Sequence, residues 1–457
     1  MESQIIEALT GIVGDKGILT GTDVTQRLEG WIGAPQCSAK AIVRPANTEE
    51  LSAVMALCHH YDQRVTTHGG MTGLVGGAIS SSEDIVVSLE RMRTIVEVDA
   101  ENRTLTAEAG VTLQAIQEAA DSADLFYPVD LGARGSATIG GNISTNAGGN
   151  RVLRYGMTRE SVLGLEAVLA DGTVISSLSK VIKNNTGYDL RQLFIGSEGT
   201  LGIVTKAVLR LRAKPRGEAT ALVAVEDFNQ LSKLLSLAES ALSGSLSSFE
   251  VMWNDFYSLV TSFERHRAPL PSSSPFYVIL ETQGSSNESE QARLEALLGE
   301  ALEQELISDA VLTQSVSERE KVWAIRDDVE ALFSMVPIHG FDISLPIPAM
   351  QDYLEKLKHN LLKKWPDGRL VAFGHLGDGN LHVVIGQIPM EDKEALNEVV
   401  YRGLAQLGGS ISAEHGIGLE KKAYLQHSRS EAELELMRIL KQALDPKRLL
   451  NPGKIFD

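Results

Sequence analysis

Three clusters rich in glycine and small polar residues lie in the first half of the chain, and they constrain its fold most. The first, residues 68–77, holds five glycines in ten positions; the second spans residues 128–150 and the third residues 194–203. Glycines let successive backbone N–H groups close around a pyrophosphate, because no Cβ blocks the approach. The spacing matches neither G-x-G-x-x-G nor the P-loop. Alone, the first cluster fits a mobile loop equally well, but one long ligand in contact with all three clusters explains them together.

A second pattern combines two histidines with a later Glu-His pair. Residues 374–382 read Gly-His-Leu-Gly-Asp-Gly-Asn-Leu-His, so His375 and His382 flank a glycine-rich turn, and Glu414 and His415 follow later in the chain. Imidazole and carboxylate ligands suit Zn²⁺, and three protein ligands leave a coordination position open for substrate. His415 would then be free to move a proton. The pattern predicts a catalytic metal site, with two loop-capping histidines as the structural alternative.

Size and charge restrict the class of protein. A chain of 457 residues exceeds one ordinary core, which predicts two domains. With 42 basic and 60 acidic residues the net charge is −18, which argues against nucleic acid or an anionic membrane as the main partner. Two cysteines cannot form a disulfide framework, and neither a signal peptide nor a transmembrane stretch is visible. A cytoplasmic enzyme is expected.

Hydrophobic patterns indicate two α+β regions and a tail. In the first region we expect helices at 48–60 and 112–123, each capped by its first threonine, a hairpin over 165–176 and a strand over 203–212. Further strands are predicted at 85–89, 94–98 and 104–108. In the second region, strands are expected at 220–226, 276–282 and 370–374 and long helices at 227–242 and 288–306. The segment 430–457 is predicted to form a helix and fold back on the first region.

With these motifs in hand, the chain resembles the vanillyl-alcohol-oxidase/p-cresol-methylhydroxylase FAD superfamily, and within it the branch of D-lactate and D-2-hydroxyglutarate dehydrogenases. The resemblance rests on the three glycine clusters, Gly187-Tyr188-Asp189-Leu190, the two histidine motifs and residues 451–454, in the expected order. It implies an α+β fold, with a p-cresol-methylhydroxylase-type FAD-binding domain over 1–215, an α+β substrate and metal (cap) domain over 216–425, and a C-terminal segment, 426–457, that returns to the FAD domain.

The resemblance also assigns residues. Some relatives attach the flavin to a histidine just after the first Gly-Gly; here that position is Met71, so FAD is expected to be noncovalent. The implied flavin contacts are Gly69, Gly70, Met71, Thr72, Gly73, Gly76, Pro128, Asp130, Leu131, Ser136, Gly140, Gly141, Asn142, Asn146, Gly148, Gly149, Gly199, Ile203 and Asn451.

The same resemblance implies a reaction. The metal ligands would be His375, His382 and Glu414, holding Zn²⁺, with Mn²⁺ and Co²⁺ as alternatives. His415 would be the catalytic base and Arg326 would hold the substrate carboxylate. A D-2-hydroxy acid would then be oxidised to the 2-oxo acid by hydride transfer to flavin N5. The electron acceptor would be one other than NAD, such as an electron-transfer flavoprotein or a quinone, and a homodimer is left open.

Three positions differ from the 2-hydroxyglutarate branch. Gly340 replaces an expected lysine, Glu330 a threonine and Val384 an asparagine, all polar groups that help to hold the substrate carboxylates. The neighbouring His339 could supply a cation if a local bend brought it into the lysine's place, but regular strand alternation would turn it to the other face. A lactate-like or apolar monocarboxylate is therefore slightly favoured over 2-hydroxyglutarate. A flavin oxidase that reduces O₂ and a binding protein without turnover are also compatible with these motifs.

Overall fold

The computed structural model describes residues 2–31 and 33–456, and strands build four sheets in them. The strands are β1 Ile18–Leu19, β2 Ala41–Val43, β3 Val65–His68, β4 Ile85–Ser88, β5 Ile95–Asp99, β6 Thr104–Glu108, β7 Leu125–Phe126, β8 Val162–Val168, β9 Val174–Ser177, β10 Ile203–Arg210, β11 Arg212–Ala213, β12 Gly217–Val225, β13 Leu246–Trp253, β14 Phe276–Gly284, β15 Asp309–Leu312, β16 Ile338–Ser344, β17 Arg369–His375 and β18 Asn380–Gly386.

Helices cover these sheets. They are α1 Glu2–Val13, α2 Thr22–Thr25, α3 Thr48–His60, α4 Leu113–Ser122, α5 Ile139–Thr145, α6 Val152–Tyr155, α7 Thr158–Ser161, α8 Arg191–Phe194, α9 Phe228–Leu242, α10 Asn254–Thr261, α11 Asn287–Glu303, α12 Val316–Asp327, α13 Met350–Lys364, α14 Lys393–Tyr401 and α15 Glu431–Leu444. In the described ranges, no helix combines the length and apolar content that a membrane-spanning segment needs.

The first half of the chain forms a small sheet and a larger antiparallel sheet around one core. The small sheet has the order β1-β2-β4-β3, with β2, β4 and β3 parallel, and the larger one the order β5-β6-β10-β8-β9. Every residue of β4 is buried, as expected for a parallel strand covered on both faces. Leu51, Val54 and Met55 of α3 pack into the same apolar cluster as strands from both sheets.

The second half is built on a seven-stranded antiparallel sheet of order β15-β12-β14-β13-β17-β18-β16. Side chains alternate between its faces, so each face has its own apolar cluster. Helices α9, α11 and α13 cover one face, while α10 and α12 cover the other. Polar residues replace apolar ones at one end of the α10–α12 face, and this end carries the candidate site.

The predicted return of the C-terminal tail is confirmed. Ser430 caps α15 in a capping box, and the chain then runs back to β3. There Leu450 forms a parallel bridge with Val65, and the Asn451 N–H donates to the Val65 carbonyl at 2.8 Å. The tail thus lies beside the strand that leads into the first glycine cluster. The predicted domain boundaries at 215/216 and 425/426 stay predictions.

Most predicted elements are present, with corrections at their ends. The first long helix runs over Thr48–His60 as expected, but its cap is Asn47, whose side chain accepts the Glu50 N–H at 2.8 Å; the prediction of a threonine cap was wrong there. Thr112 does cap α4. The strand predicted over 203–212 is two strands, β10 and β11, because Arg212 pairs with Phe126 of β7.

Candidate active site

Both histidines of the glycine-rich motif project from the same face of the seven-stranded sheet. His375 ends β17 and His382 lies in β18, and the hairpin between them pairs Phe373 with His382. On the outer strand β16, Asp342 is paired with His382. The two imidazole rings have their centroids 5.2 Å apart. The predicted approach of the histidines therefore follows from strand register, with the glycine-rich turn closing the hairpin.

The Glu-His pair reaches the same place on an irregular segment. Residues 413–415 form bends and lie outside any strand, so the adjacent side chains of Glu414 and His415 are not forced to opposite sides. One ligand atom each from His375, His382 and Glu414 lies within 4.8 Å of the others. The His415 ring is stacked 6.4 Å from that of His382, and its side chain is 32% exposed. The structure thus brings the three predicted ligands and the predicted base together.

Glu414 is also held from the first half of the chain. Its Oε1 accepts a hydrogen bond from the backbone N–H of Gly149 at 2.9 Å. A Cβ placed on the neighbouring Gly148 would lie 2.6 Å from the same oxygen, so no side chain fits there without a shift. The second glycine cluster and the Glu414 carboxylate are therefore in direct contact.

A buried glutamate that sequence reasoning missed orients one histidine and the arginine. Glu250, on β13, is 1% exposed; its carboxylate accepts from His375 Nδ1 at 2.6 Å and from Arg326 Nε at 3.0 Å. Because Nδ1 donates to Glu250, His375 presents Nε2 to the site. Arg326 is itself buried at the end of α12, with its guanidinium 4.8 Å from the centre of the Phe373 ring. Arg326 is therefore a buried cation at the site, although an arginine near the end of a helix is more often exposed to solvent.

The negative charge of Glu250 favours positive charge on the His375 ring. Burial opposes ionisation of Glu250, but the charges of His375 and Arg326 outweigh it and lower the pKa of the carboxyl. Burial also opposes charge on His375, yet the ion pair with Glu250 prevails and raises its pKa to about 9. For His382, burial and then the neighbouring His375 lower the pKa well below its usual value, so this ring is neutral. A neutral imidazole is the form that binds metal, so a metal ion at His375 Nε2 would have to displace the proton that Glu250 otherwise stabilises there.

Asp342 is the second buried carboxylate that the sequence did not reveal. It is fully buried, and its Oδ1 accepts from Asn380 Nδ2 at 2.7 Å. The Asp342 carboxylate lies 3.6 Å from His382 Nδ1 and 3.9 Å from His415 Nδ1. Burial alone would raise its pKa, but the nearby cationic groups, His415 first, lower it. A signal existed for both acids, since each is an acidic residue that stands between two apolar ones in the sequence.

The three glycine clusters meet in the first half of the chain. A Cβ on Gly70 would collide with the Ser136 carbonyl, so the first cluster is packed against the second. The third cluster joins them: the Gly196 N–H donates to the Ile143 carbonyl at 3.0 Å, and the Glu198 N–H to the Ser144 carbonyl at 2.8 Å. The prediction that the clusters share one location agrees with this packing.

Several predicted flavin contacts already have protein partners for their side chains. Asp130 pairs with Arg134 and Arg151, and Asn146 Oδ1 accepts the Arg159 N–H at 3.0 Å. Asn451 ties the tail to the third cluster, with Oδ1 accepting from the Thr67 N–H at 2.8 Å and Nδ2 donating to the Glu198 carbonyl at 2.6 Å.

Three other predicted contacts, Asn142, Met71 and Gly73, have features that suit a ligand-binding loop. Within the described part of the chain, Asn142 Nδ2 is buried without a hydrogen-bond partner. Met71 has φ 57°, and the neighbouring Gly73 is exposed. The remaining predicted contacts lie on the same three clusters: Gly69, Thr72, Gly76, Pro128, Leu131, Ser136, Gly140, Gly141, Gly199 and Ile203.

Of the three positions that differ from the 2-hydroxyglutarate branch, two lie beside the site. Gly340 and Val384 are paired across β16 and β18, one step along the site face from Asp342 and His382. Glu330 is exposed in the 3₁₀ helix Val329–Met335, beyond the end of α12. His339 is buried on the opposite face, with Nε2 3.0 Å from the Ile388 carbonyl, as strand alternation predicted.

Comparison with known proteins covers the whole chain. Residues 39–177 match the FAD binding domain family, and residues 214–455 match the C-terminal domain of FAD linked oxidases. The D-2-hydroxyglutarate dehydrogenase of Xanthomonas citri pv. viticola is 39% identical over 96% of this chain and 92% of its own. The mitochondrial D-2-hydroxyglutarate dehydrogenase of Arabidopsis thaliana is 37% identical over 100% and 82%. A Schizosaccharomyces pombe protein with a D-lactate dehydrogenase name is 35% identical over 99% and 90%.

A solved structure has the same fold. The crystal structure of p-cresol methylhydroxylase with substrate bound superposes with a TM-score of 0.77 over 100% of this chain and 97% of its own, at 17% identity. The predicted α+β architecture of this fold type is therefore confirmed.

Proposed function

The chain belongs to the FAD linked oxidases, in the branch of D-2-hydroxyglutarate and D-lactate dehydrogenases, and from that premise we propose that it oxidises a D-2-hydroxy acid with one carboxylate, lactate-like or apolar, beside a bound divalent metal. It is an FAD-dependent oxidoreductase that acts on a CH–OH group. The observation that carries the metal-assisted reaction is the convergence of His375, His382 and Glu414 within 4.8 Å, next to His415 and Arg326.

The glycine clusters fit FAD. The close approach of Gly70 to Ser136 packs the first cluster on the second, a Cβ on Gly73 would meet no atom within 4 Å, and the unpartnered Asn142 amide offers a ligand a donor. The residues of these clusters would hold FAD, which would supply the hydride acceptor for oxidation of the substrate carbon. The chain's own contribution is to place the substrate against it.

The donor set fits Zn²⁺, with Mn²⁺ and Co²⁺ as alternatives. Two imidazoles and one carboxylate form the three-ligand set of catalytic zinc sites, and Glu250 fixes which nitrogen of His375 is offered. A bound divalent cation supplies Lewis acidity that lowers the pKa of the substrate hydroxyl. Arg326 lies beside His375, with Nη2 3.4 Å from its Nε2, so its guanidinium is placed to hold a carboxylate next to the metal ligands.

His415 suits the role of base. Its ring is adjacent to the ligands, and the Asp342 carboxylate lies 3.9 Å from Nδ1, so the ring is held where it can take the hydroxyl proton. The partial exposure of the side chain gives that proton a route to solvent.

Substrate choice rests on the surroundings of Gly340. A Cβ there would meet no atom within 4 Å, so open space adjoins the site, and the paired Val384 belongs to the apolar cluster that contains Phe373 and Met335. Gly340 is exposed, and neither Gly340 nor Val384 offers a carboxylate a charged or hydrogen-bonding partner, whereas an apolar group would bury surface against Val384 and its neighbours. An apolar or small substituent fits it better. D-2-hydroxyglutarate is the second candidate, because that activity names the plant and bacterial relatives.

We expect anaerobic flavin bleaching to be faster with D-lactate or a larger apolar D-2-hydroxy acid than with D-2-hydroxyglutarate. An unpaired carboxylate should reduce kcat/KM by about tenfold or more. Stopped-flow absorbance over D- and L-lactate, D-malate, D-2-hydroxyglutarate and apolar D-2-hydroxy acids measures this. Fastest reduction by 2-hydroxyglutarate would refute the substrate proposal, and fastest reduction by an L-acid would refute the stereochemistry.

A matched variant tests the same inference in the other direction. The double substitution Gly340→Lys and Val384→Asn restores the polar groups expected in the 2-hydroxyglutarate branch, and the open space at Gly340 accommodates the lysine. Its kcat/KM for D-2-hydroxyglutarate should rise by about tenfold while that for D-lactate falls or stays level.

The flavin is proposed to be noncovalent, because Met71 stands where a covalent linkage needs histidine. We expect acid precipitation of the yellow protein to release all flavin absorbance into the supernatant. Flavin that stays with the precipitate would show that another residue forms a covalent bond.

The oxidase alternative has its own test, since stoichiometric peroxide formed under air would favour an oxidase over a dehydrogenase. The electron acceptor, the homodimer and the cytoplasmic location stay predictions.

A further inference from the structure

One buried carboxylate gathers the segment that carries Glu414 and His415. Asp342 Oδ2 accepts the backbone N–H groups of Ala413 at 3.1 Å, Glu414 at 2.8 Å and His415 at 3.1 Å. Its other oxygen is held by Asn380. These contacts use the carboxylate almost completely, so Asp342 itself is not left to bind a ligand.

Convergence of three consecutive N–H groups on one oxygen imposes a turn. In a strand, successive N–H groups point to opposite sides, whereas in a nest they point inwards to a common anion. The turn at residues 413–415 is therefore what lets two adjacent side chains serve one site. Lys421 holds the start of the same segment, since its Nζ donates to the Ile411 carbonyl at 2.9 Å and to Ser412 Oγ at 3.2 Å.

Asp342 also relates this turn to the sheet. It is paired in register with His382, and its carboxylate lies near the rings of both His382 and His415. The strand that carries Asp342 thus sets the distance between a ligand on the sheet and the two groups on the irregular segment.

We propose that Asp342 is a positioning residue that sets the turn of residues 413–415, and that it thereby brings the Glu414 carboxylate to the two histidines and His415 to the substrate. The second part of this inference rests on the proposed function; the first does not. Because Asp342 holds backbone, removing its charge should directly accelerate hydrogen exchange at the amides of residues 413–415. Any effect on turnover should follow from that local change.

The test uses Asp342→Asn in the full chain with its flavin. The amide group keeps the shape of the side chain but removes the charge. Because hydrogen bonds to a charged acceptor are the stronger ones, amide hydrogen exchange at residues 413–415 should accelerate by about tenfold or more, with β16–β18 unchanged. Zn²⁺ affinity, measured by chelator competition, should fall about 10–100-fold, as for other groups that support a metal ligand.

Asp445→Asn is the matched control. Asp445 is equally buried and accepts the N–H groups of Leu449 at 2.9 Å and Leu450 at 2.8 Å, together with Lys441 Nζ at 2.6 Å, but it lies away from the candidate site. This variant should lower thermal stability and leave both Zn²⁺ affinity and exchange at 413–415 as in the wild type.

The outcomes distinguish failure of the positioning role of Asp342 from failure of the proposed metal site. Local acceleration at 413–415 in a protein whose wild type binds no Zn²⁺ would support the positioning role and refute the metal site. Normal exchange and normal Zn²⁺ affinity in the variant would overturn the positioning role alone, as would acceleration spread evenly over the sheet. If the variant does not fold, Asn380→Ala removes one support of Asp342 and should still accelerate exchange at 413–415 by about fivefold.

Discussion

Single alanine substitutions of His375, His382 or Glu414 should abolish turnover while FAD stays bound. The reason is that each removes one of three ligands within 4.8 Å, whereas no residue of the glycine clusters that fit FAD is changed. Glu414→Ala also removes the acceptor of the Gly149 N–H, so the two histidine variants are the cleaner test of retained flavin. Loss of the Lewis acid leaves the substrate hydroxyl at its ordinary pKa, far too high for deprotonation at neutral pH. Elemental analysis measures the loss of metal, flavin absorbance measures the retention of FAD, and anaerobic bleaching measures the loss of substrate oxidation.

Removing the metal from the wild-type protein with a chelator should cause the same loss of activity as these substitutions. Adding Zn²⁺, Mn²⁺ or Co²⁺ should then restore activity to the wild-type protein and not to the variants. His339→Gln is a suitable control, because His339 is equally buried but lies on the opposite face of the same sheet. Activity that survives complete metal removal would contradict the Lewis-acid role.

His415→Ala should reduce the rate of flavin reduction about 10²–10⁴-fold, the usual cost of losing a positioned base, with metal content unchanged. The ring stands next to His382 but is not one of the three ligands that meet within 4.8 Å. Rapid mixing under anaerobic conditions isolates the reductive step. Added imidazole should partly rescue the alanine variant, since the missing group is a proton acceptor. Metal loss in this variant would instead make His415 a ligand.

The residues that sequence patterns identified are those whose spacing is local. His375 and His382 flank one tight turn, and the glycine clusters indicate backbone that must approach something closely. Glu250 and Asp342 were missed because each acts on a partner far away in the chain: Glu250 meets His375 only through the pairing of β13 with β17. Long-range register of this kind has no local signature beyond an acidic residue between two apolar ones.

The same distinction explains the element boundaries. Helix α3 was placed correctly because its capping and apolar periodicity are local, although the cap itself is Asn47. Strand β13 was not predicted, because Ser247, Ser248 and Glu250 interrupt its apolar residues and its burial depends on α9 on one face and α10 on the other. The division of Ile203–Arg210 from Arg212–Ala213 follows from a partner strand elsewhere in the chain.

The hydrogen bond from Gly149 to Glu414 has a consequence for how such proteins can be recombined. A proposed metal ligand encoded near the end of the gene is held by backbone encoded in its first third, and any side chain at Gly148 would displace it. A chimera that joins this chain's first 215 residues to the remainder of a relative would therefore inherit a ligand fitted to the relative's own glycines. Substitutions on either side of the junction are therefore tolerated only if they preserve the contact between Gly149 and Glu414. The sequences of the two halves are expected to change together at these positions.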